Sequence, residues 1–383
     1  MASSLPDNPS LRQLRDAAEV LMREGLTVDE AQSAVARRHG FSGWAALERY
    51  LEIARELSVD PAQVDEDALA DADRFCALAA LRYTETDAPP RWDAAAQILS
   101  AQPGLVESHV WAAAAAADPE ALTRRLAKGD GANSAGGPFR WVPLMYLCYS
   151  RVHTHVQQDR VLAAATVLLD AGADPNAGYL WRGMAPPFTA LTGVFGEGEQ
   201  GPRRQPRHPH APQLATLLLE RGAHPVDQQT LYNRMFRADD SHLELLFAHG
   251  LAEAGPGPWE LLLGEAMETR EQVWQRQIEW AAGHGFGERL DLLARNGVDI
   301  HGAQPLSRQL PENPNAYDDD GATALHHAAW DGDLALIRRL LDAGADPSIV
   351  DRRFGTTAHG WAVHAYQTEA ADFLESVVRR DPD

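Results

Sequence analysis

The residues whose type and spacing come nearest to chemistry are two histidine pairs, His153-x-His155 and His208-x-His210. A structural zinc ion needs four ligands and a catalytic one three protein ligands. Neither pair has a third ligand near it in sequence, so no metal ligand is expected. Asp318-Asp319-Asp320 could act as paired carboxylates or hold calcium. It lacks the glycine at the sixth and the glutamate at the twelfth position that a calcium loop of the EF-hand type requires. Glu265, Glu268 and Glu271 share a helical stripe with Arg270 and Arg276, which reads as a solvated face. Cys148 falls at a small apolar position, and Ser150 has no base near it. There is no G-x-S-x-G, phosphate loop or dinucleotide fingerprint. The expectation is therefore no catalytic residue and no cofactor.

The elements that must position these side chains are clearest over residues 318–351. Leu325, Ala328 and Ala329 recur at helical spacing and are small enough for close packing. Leu334, Leu336, Ile337, Leu340 and Leu341 form the apolar face of a longer second helix. Gly332 turns the chain between the two helices, and Gly344 supplies a left-handed cap. A two-helix unit of this size cannot bury its apolar face alone and must stack on neighbours. The run Thr323-Ala324-Leu325-His326-His327-Ala328 and the unit length resemble the ankyrin repeat, with its period of about 33 residues. The resemblance implies an all-α fold, an ankyrin-repeat solenoid, and a protein-interaction role. It gives His326 a structural hydrogen bond within the turn and makes Asp318 the turn aspartate. His327 and Trp361 fall at slots that are ordinarily apolar.

Second-helix patterns closing on glycine recur at 121–129, 161–176, 213–225, 242–250 and 288–299, with a further apolar run at 370–377. First-helix patterns fit 142–148, 189–195, 230–236 and 357–363, and 272–282 lengthens another. About seven or eight partly degenerate repeats are expected over residues 61–383. Insertions are expected near 151–159, 196–211 and 301–316. The second is Gly/Pro-rich and reads as an exposed loop. Residues 1–60 read as a separate small helical module. Thr27 and Glu30 make a capping box there, Gly40 stops that helix, and Ser42 is the next N-cap. The module resembles an N-terminal extension common on bacterial ankyrin proteins. Its three helices also invite a DNA-reading interpretation, but Asp29, Glu30 and Glu48 offset Arg37 and Arg38.

The chain has 383 residues, 45% of them hydrophobic, and a formal net charge of −21. Such an acidic surface repels phosphate backbones, which argues against nucleic acid as a partner. The alanine run after Trp111 is broken by Asp118-Pro119 and is too short to span a bilayer, so no membrane partner is expected. Cys76 and Cys148 lack metal-ligand spacing, and the simplest compartment is a reducing cytoplasm. Lys128 is the only lysine; with the abundant alanine this points to a GC-rich bacterial genome.

In the ankyrin family the positions before the inter-helix glycine face a concave groove. The matching residues are Tyr149, Glu197, Arg237, His284, Trp330, Asp331 and His364. The turn fingers add Asp319, Asp320, Arg352 and Arg353, and an earlier finger adds Trp181 and Arg182. Tyr232 and Arg234 stand where small apolar residues are usual. Aromatic and arginine side chains are the usual interface anchors. Two functions follow. The first is a non-catalytic scaffold binding another protein, one with a basic surface given the acidic charge. The second is a small-molecule binder or atypical enzyme, with Tyr146, Tyr149, Trp181, Tyr232, Asn233 and Arg234 lining a pocket closed by the insertions. An open groove favours the first and a deep enclosed cavity the second.

Overall fold

Six helices end in the same way, and that ending sets the architecture. They are Pro119–Ala127, Gln158–Asp170, Ala211–Glu220, Ser241–Ala248, Gly287–Arg295 and Leu334–Asp342. Each is followed, two residues on, by a glycine of positive φ, such as Gly172 at 85° and Gly344 at 90°. The next residue then donates its amide back to the third-last helical carbonyl, as in Ala173 to Leu168 at 3.0 Å and Ala345 to Leu340 at 2.9 Å. The left-handed residue closes the last turn and satisfies carbonyls that would otherwise be orphaned. All six fall on sequence patterns that predict a second helix.

The computed structural model describes residues 5–305, 310–365 and 367–380. The chain is mostly helical. It divides into two compact units, each assembled from several stretches of sequence. The first comprises Met1–Val194, His208–Gln229 and Glu253–Glu271; the second comprises Phe195–Arg207, Thr230–Ala252 and Gln272–Asp383.

In the first unit, helices Leu11–Arg23, Val28–Arg38 and Trp44–Leu57 pack around Leu14, Ala31, Val35, Leu47 and Tyr50. Thr27 and Glu30 form the expected reciprocal cap, with the Thr27 amide donating to Glu30 at 2.9 Å. Ser42 does not cap. Gly43 holds that position, and Ser42 donates its amide and hydroxyl to Glu265, both at 2.7 Å. Leu180 and Leu263 join the same core, so the N-terminal helices share their interior with distant segments. A small sheet adds to the helical expectation: β1 (Ser58–Val59) pairs parallel with β2 (Gly178–Trp181), which pairs antiparallel with β3 (Phe188–Thr189).

Asparagine side chains latch successive repeats together. Asn133 donates to Gly172 O at 2.7 Å and accepts the Asp174 amide at 2.8 Å; Asn176 does the same to Gly222 and His224. The second unit repeats the device, with Asn315 clasping Gly344 and Asp346. One side chain thus satisfies both a helix-terminal carbonyl and a loop amide of the next repeat.

In the second unit, helices Ala324–Asp331, Leu334–Asp342 and Ala358–His364 close over Leu325, Ala328, Ile337, Leu340 and Ala362. A second core gathers Ile278, Ala281, Phe286, Leu290 and Leu293. His326 plays the structural part expected of it. Its Nδ1 lies 2.8 Å from the Thr323 hydroxyl, and its Nε2 donates to Thr356 O at 3.2 Å.

The Gly/Pro-rich insertion is only in part the exposed loop that its composition predicts: Glu199, Gln200, Arg203 and Arg204 are exposed, but its flanks are drawn inward. Glu197, Gln205 and His208 are all buried. Composition reports backbone freedom, and it cannot show that charged partners elsewhere in the chain will draw a loop inward. Part of the third insertion, residues 306–309, lies outside the described residues.

Candidate functional site

The exposed apolar surface of the second unit gathers on its last repeats, and a single carboxylate organises it. Asp351 is buried at the base of a turn whose arms meet at the Val350–Thr357 bridge. It accepts the amides of Arg353 at 2.9 Å, Phe354 at 2.5 Å and Thr356 at 3.0 Å, and the indole N–H of Trp361 at 3.0 Å. Burial pushes its pKa up, but the Phe354 amide, the Trp361 indole and the other amides outweigh this and hold it below the usual carboxylate range. The turn is therefore rigid, and it carries Phe354 outward with 64% of its surface exposed.

Trp361 is the centre of an aromatic group on this face. Its ring lies 5.9 Å from Phe354, 5.8 Å from Trp330 and 5.6 Å from His327, in edge contacts. Trp330 also lies 5.8 Å from His364, and Val363 is 54% exposed nearby in sequence. His327 and Trp361 are thus not core residues: His327 is exposed and donates to Asp318 at 2.5 Å, and Trp361 is half-buried. Asp318 also accepts the Asp320 and Ala322 amides, both at 3.0 Å, which fixes the neighbouring finger and leaves Asp319 and Asp320 exposed. The fingers are joined where Arg352 donates its amide to Gly321 O at 2.8 Å and lays its guanidinium 4.1 Å over Tyr317.

Tyr232, Arg237, Asp331 and His364 are held by other charged groups of the second unit. Tyr232 hydrogen-bonds Glu199, Arg237 donates to Asp331 at 3.2 Å, and Arg203 donates to His364 Nε2 at 3.0 Å. Arg234 is not on any surface: it is fully buried and ion-paired with Glu197 and, at 2.7 Å, with Asp239. Arg207 binds the same carboxylates, at 3.2 and 2.9 Å. Arg234 serves the interior because a buried carboxylate pair needs a fully desolvated partner. His284 stacks on Trp280 at 3.9 Å and bonds its carbonyl.

The remaining candidates belong to the first unit. Arg182 lies 4.3 Å over Trp181 and pairs with Asp7 and Asp60 at 3.0 and 3.3 Å. Tyr149 is fully buried, donating to Thr189 O at 2.9 Å among Tyr83, Trp141 and Tyr179. It packs the interior rather than facing a partner, since an aromatic ring in this slot fills the space between helices.

One histidine from each pair is spent on the other. His153 and His208 meet in the first unit at 2.8 Å, fully buried. The Ala115 carbonyl lies 2.8 Å from His153 Nε2, so that nitrogen carries the proton. Nδ1 then accepts from His208 Nε2, and His208 Nδ1 accepts the His210 amide at 3.1 Å. Every ring nitrogen is committed to a neutral hydrogen bond. The His155 side chain lies outside the described residues. Among the described residues no group of three or more metal-ligating side chains forms. Burial raises the pKa of both Cys76 and Cys148, which suppresses the thiolate.

A cleft of about 400 Å³ opens in the second unit where Asp239, Asp240, Glu244, Glu288, Asp333 and Glu369 meet Arg289 and Arg295. It is lined by the leading ends of four helices, where carboxylates offset the helix dipole. A first-unit cavity beside Asp227 and Trp259 holds only about 20 Å³, room for one water.

Phe354 is the surface residue that sequence reading passed over, while His327 and Trp361 were assigned to apolar slots of the first helices. Phe354 follows Arg352 and Arg353 in a finger already singled out, and that position was the available signal.

Stacked helix–turn–helix units with projecting fingers define a repeat protein. Residues 306–358 match the family model described as ankyrin repeats (many copies). The Phe354 finger and the Trp330 helix lie inside that match. A search of curated proteins returns no match.

Proposed function

We propose that this chain is a non-catalytic protein-interaction scaffold. It carries about seven or eight partly degenerate ankyrin repeats over residues 61–383, with the helical module of residues 1–60 as a cap. It captures another protein on the aromatic face of the repeats around 317–364. Phe354, Trp330, Trp361 and Val363 are the anchors, rimmed by Asp319, Asp320 and Arg352. The observation that carries this reading is Phe354, a large apolar side chain held out to water by a turn that four hydrogen bonds to Asp351 keep in shape. An isolated exposed phenylalanine needs no explanation, but one joined to two tryptophans on a rigid finger has the composition of a binding anchor.

The partner presents a basic surface. The chain carries a net charge of −21, and Asp319 and Asp320 flank the aromatic group. The setting is a bacterial cytoplasm, in keeping with two buried free cysteines, abundant alanine and arginine in place of all but one lysine. No helix among the described residues is long and apolar enough to cross a membrane. What favours a scaffold over a small-molecule site is that Tyr149 and Arg234, which a pocket would need in its wall, are packed inside the protein.

Paired affinity captures test the reading. Wild-type chain and the Phe354→Ala/Trp330→Ala double variant are used on the same cell extract and quantified by mass spectrometry. A protein held by the wild type should fall by at least about tenfold with the double variant. A partner retained equally by both places the interface elsewhere, and no partner with the wild type rejects the scaffold.

A further inference from the structure

The second unit carries an internal segment on the very residues expected to face a partner. Residues 198–204 run between two buried anchors, Glu197 and Gln205, whose backbones are tied by the Glu197 amide donating to Gln205 O at 2.6 Å. Glu197 and Arg207 fasten the ends to Arg234 and Asp239. The stretch between is different. Glu199, Gln200, Arg203 and Arg204 are exposed, while Gly201 and Pro202 are buried. Glu199 accepts the Tyr232 hydroxyl, Arg203 donates to His364 at 3.0 Å, and a Cβ placed on Gly201 would lie 2.9 Å from the Arg237 guanidinium.

We propose that Tyr232, Arg237 and His364 form a peptide-binding groove that residues 198–204 occupy as a strap, helical over Gly201–Arg204, and that the external partner enters as a short peptide of the same chemistry in the same turn. That chemistry is a carboxylate for Tyr232, a glycine over Arg237, and an arginine for His364 four residues after the carboxylate. The strap is built to be displaced. Its ends are secured by buried ion pairs, whereas Glu199 and Arg203, which engage Tyr232 and His364, are solvent-exposed, and exposed polar contacts are individually weak. A tethered segment competes at an effective concentration of about millimolar, so the strap stays closed on weak contacts and opens to a ligand that binds the same groove more tightly. Gly201 has a φ of +72° and sits against Arg237, so, like Gly198 at the head of the strap (φ +139°), it cannot carry a side chain without strain. The inference rests on the scaffold reading and adds to it how the surface next to His364 is kept closed.

The test uses the full chain and the strap's own sequence as probe. A fluorescent peptide of residues 196–207 is titrated into wild type and into a chain whose residues 199–204 are replaced by Gly and Ser at equal length. Glu197, Gln205 and Arg207 are kept so that the buried anchors stay intact, and circular dichroism checks the fold. The peptide should bind the replaced chain at least about tenfold more tightly than wild type. Adding Tyr232→Phe and His364→Ala to the replaced chain, or using a peptide with Glu199→Gln and Arg203→Gln, should abolish that gain. Equal binding to both chains, no binding to the replaced chain up to about 1 mM, or indifference to these substitutions overturns the proposal. Because the probe is synthetic, a negative result in the extract captures leaves this outcome readable, and the reverse also holds.

Discussion

The indole N–H of Trp361 donates to the Asp351 carboxylate at 3.0 Å, and this one bond ties the aromatic face to the finger that presents Phe354. Tip and platform are therefore joined through one carboxylate. Asp351→Ala leaves three finger amides and the indole without their acceptor, at a cost of about 1–3 kcal/mol in stability. Asp351→Asn keeps one acceptor oxygen and should fall between the two. Because the folded pKa of Asp351 is depressed, its contribution is fully present above the unfolded value near ~3.9 and is lost as pH falls through the folded value. Urea unfolding of the three chains at neutral pH and at about pH 3 checks both statements; equal stability of wild type and Asp351→Ala would contradict them.

Phe354 separates binding from folding. With 64% of its surface already exposed, Phe354→Ala should change stability by no more than about 0.5 kcal/mol. Partner affinity should drop by about 2 kcal/mol if the ring is an anchor. Titration calorimetry with the captured partner, alongside the unfolding midpoint, distinguishes the two. A stability loss matching the affinity loss would mean that Phe354 supports the fold instead.

Arg234 is the opposite case. Burial pushes its pKa down, but Glu197 and Asp239 outweigh this and keep the guanidinium charged. Arg234→Ala removes the fully buried partner of Glu197 and Asp239 and leaves only the less buried Arg207 to neutralise both, a loss of about 3 kcal/mol. Hydrogen exchange should show residues 196–207 losing protection first, because both ends of that segment are fastened there. Unchanged protection in this stretch would sink the account.

The His153–His208 pair makes stability depend on mild acid. Burial pushes His153 down to about 3, helped by Arg151 and His210 and opposed by the Ala115 hydrogen bond. Burial likewise drives His208 well below its ordinary value. The unfolded chain takes up protons near pH ~6.5 and the folded one does not. Stability is thus full above that value and falls with acidification, by about 1.4 kcal/mol per pH unit for each histidine. Urea midpoints for the first unit measured from pH 7.5 down to 5 should decline steadily. A flat profile would show that the pair is accessible to protons in the folded state.

How much was legible beforehand depends on the range of the interaction. The Thr27–Glu30 cap, the His326 turn and the six glycine-terminated helices were readable, because each is decided by residues within one or two turns of helix. Ser42 misled because its hydroxyl found Glu265, 223 residues away, and so never capped its own helix. The insertion misled for the same reason: nothing inside residues 196–207 announces Arg234 or Asp239. The short strands at Ser58–Val59 and Gly178–Trp181 were invisible because two to four residues carry no periodicity.

The sequence by itself determined the repeating unit: paired helices, glycine-stopped second helices, and the turn aspartates. These follow from backbone sterics and local hydrogen bonds, which the order of residues sets directly. Only the tertiary structure decided which charged and aromatic residues reach water. It drew Tyr149 and Arg234 inside, left Phe354 outside, and laid residues 198–204 against Tyr232 and His364. Exposure is a property of what packs against a side chain, and that depends on segments far away along the chain.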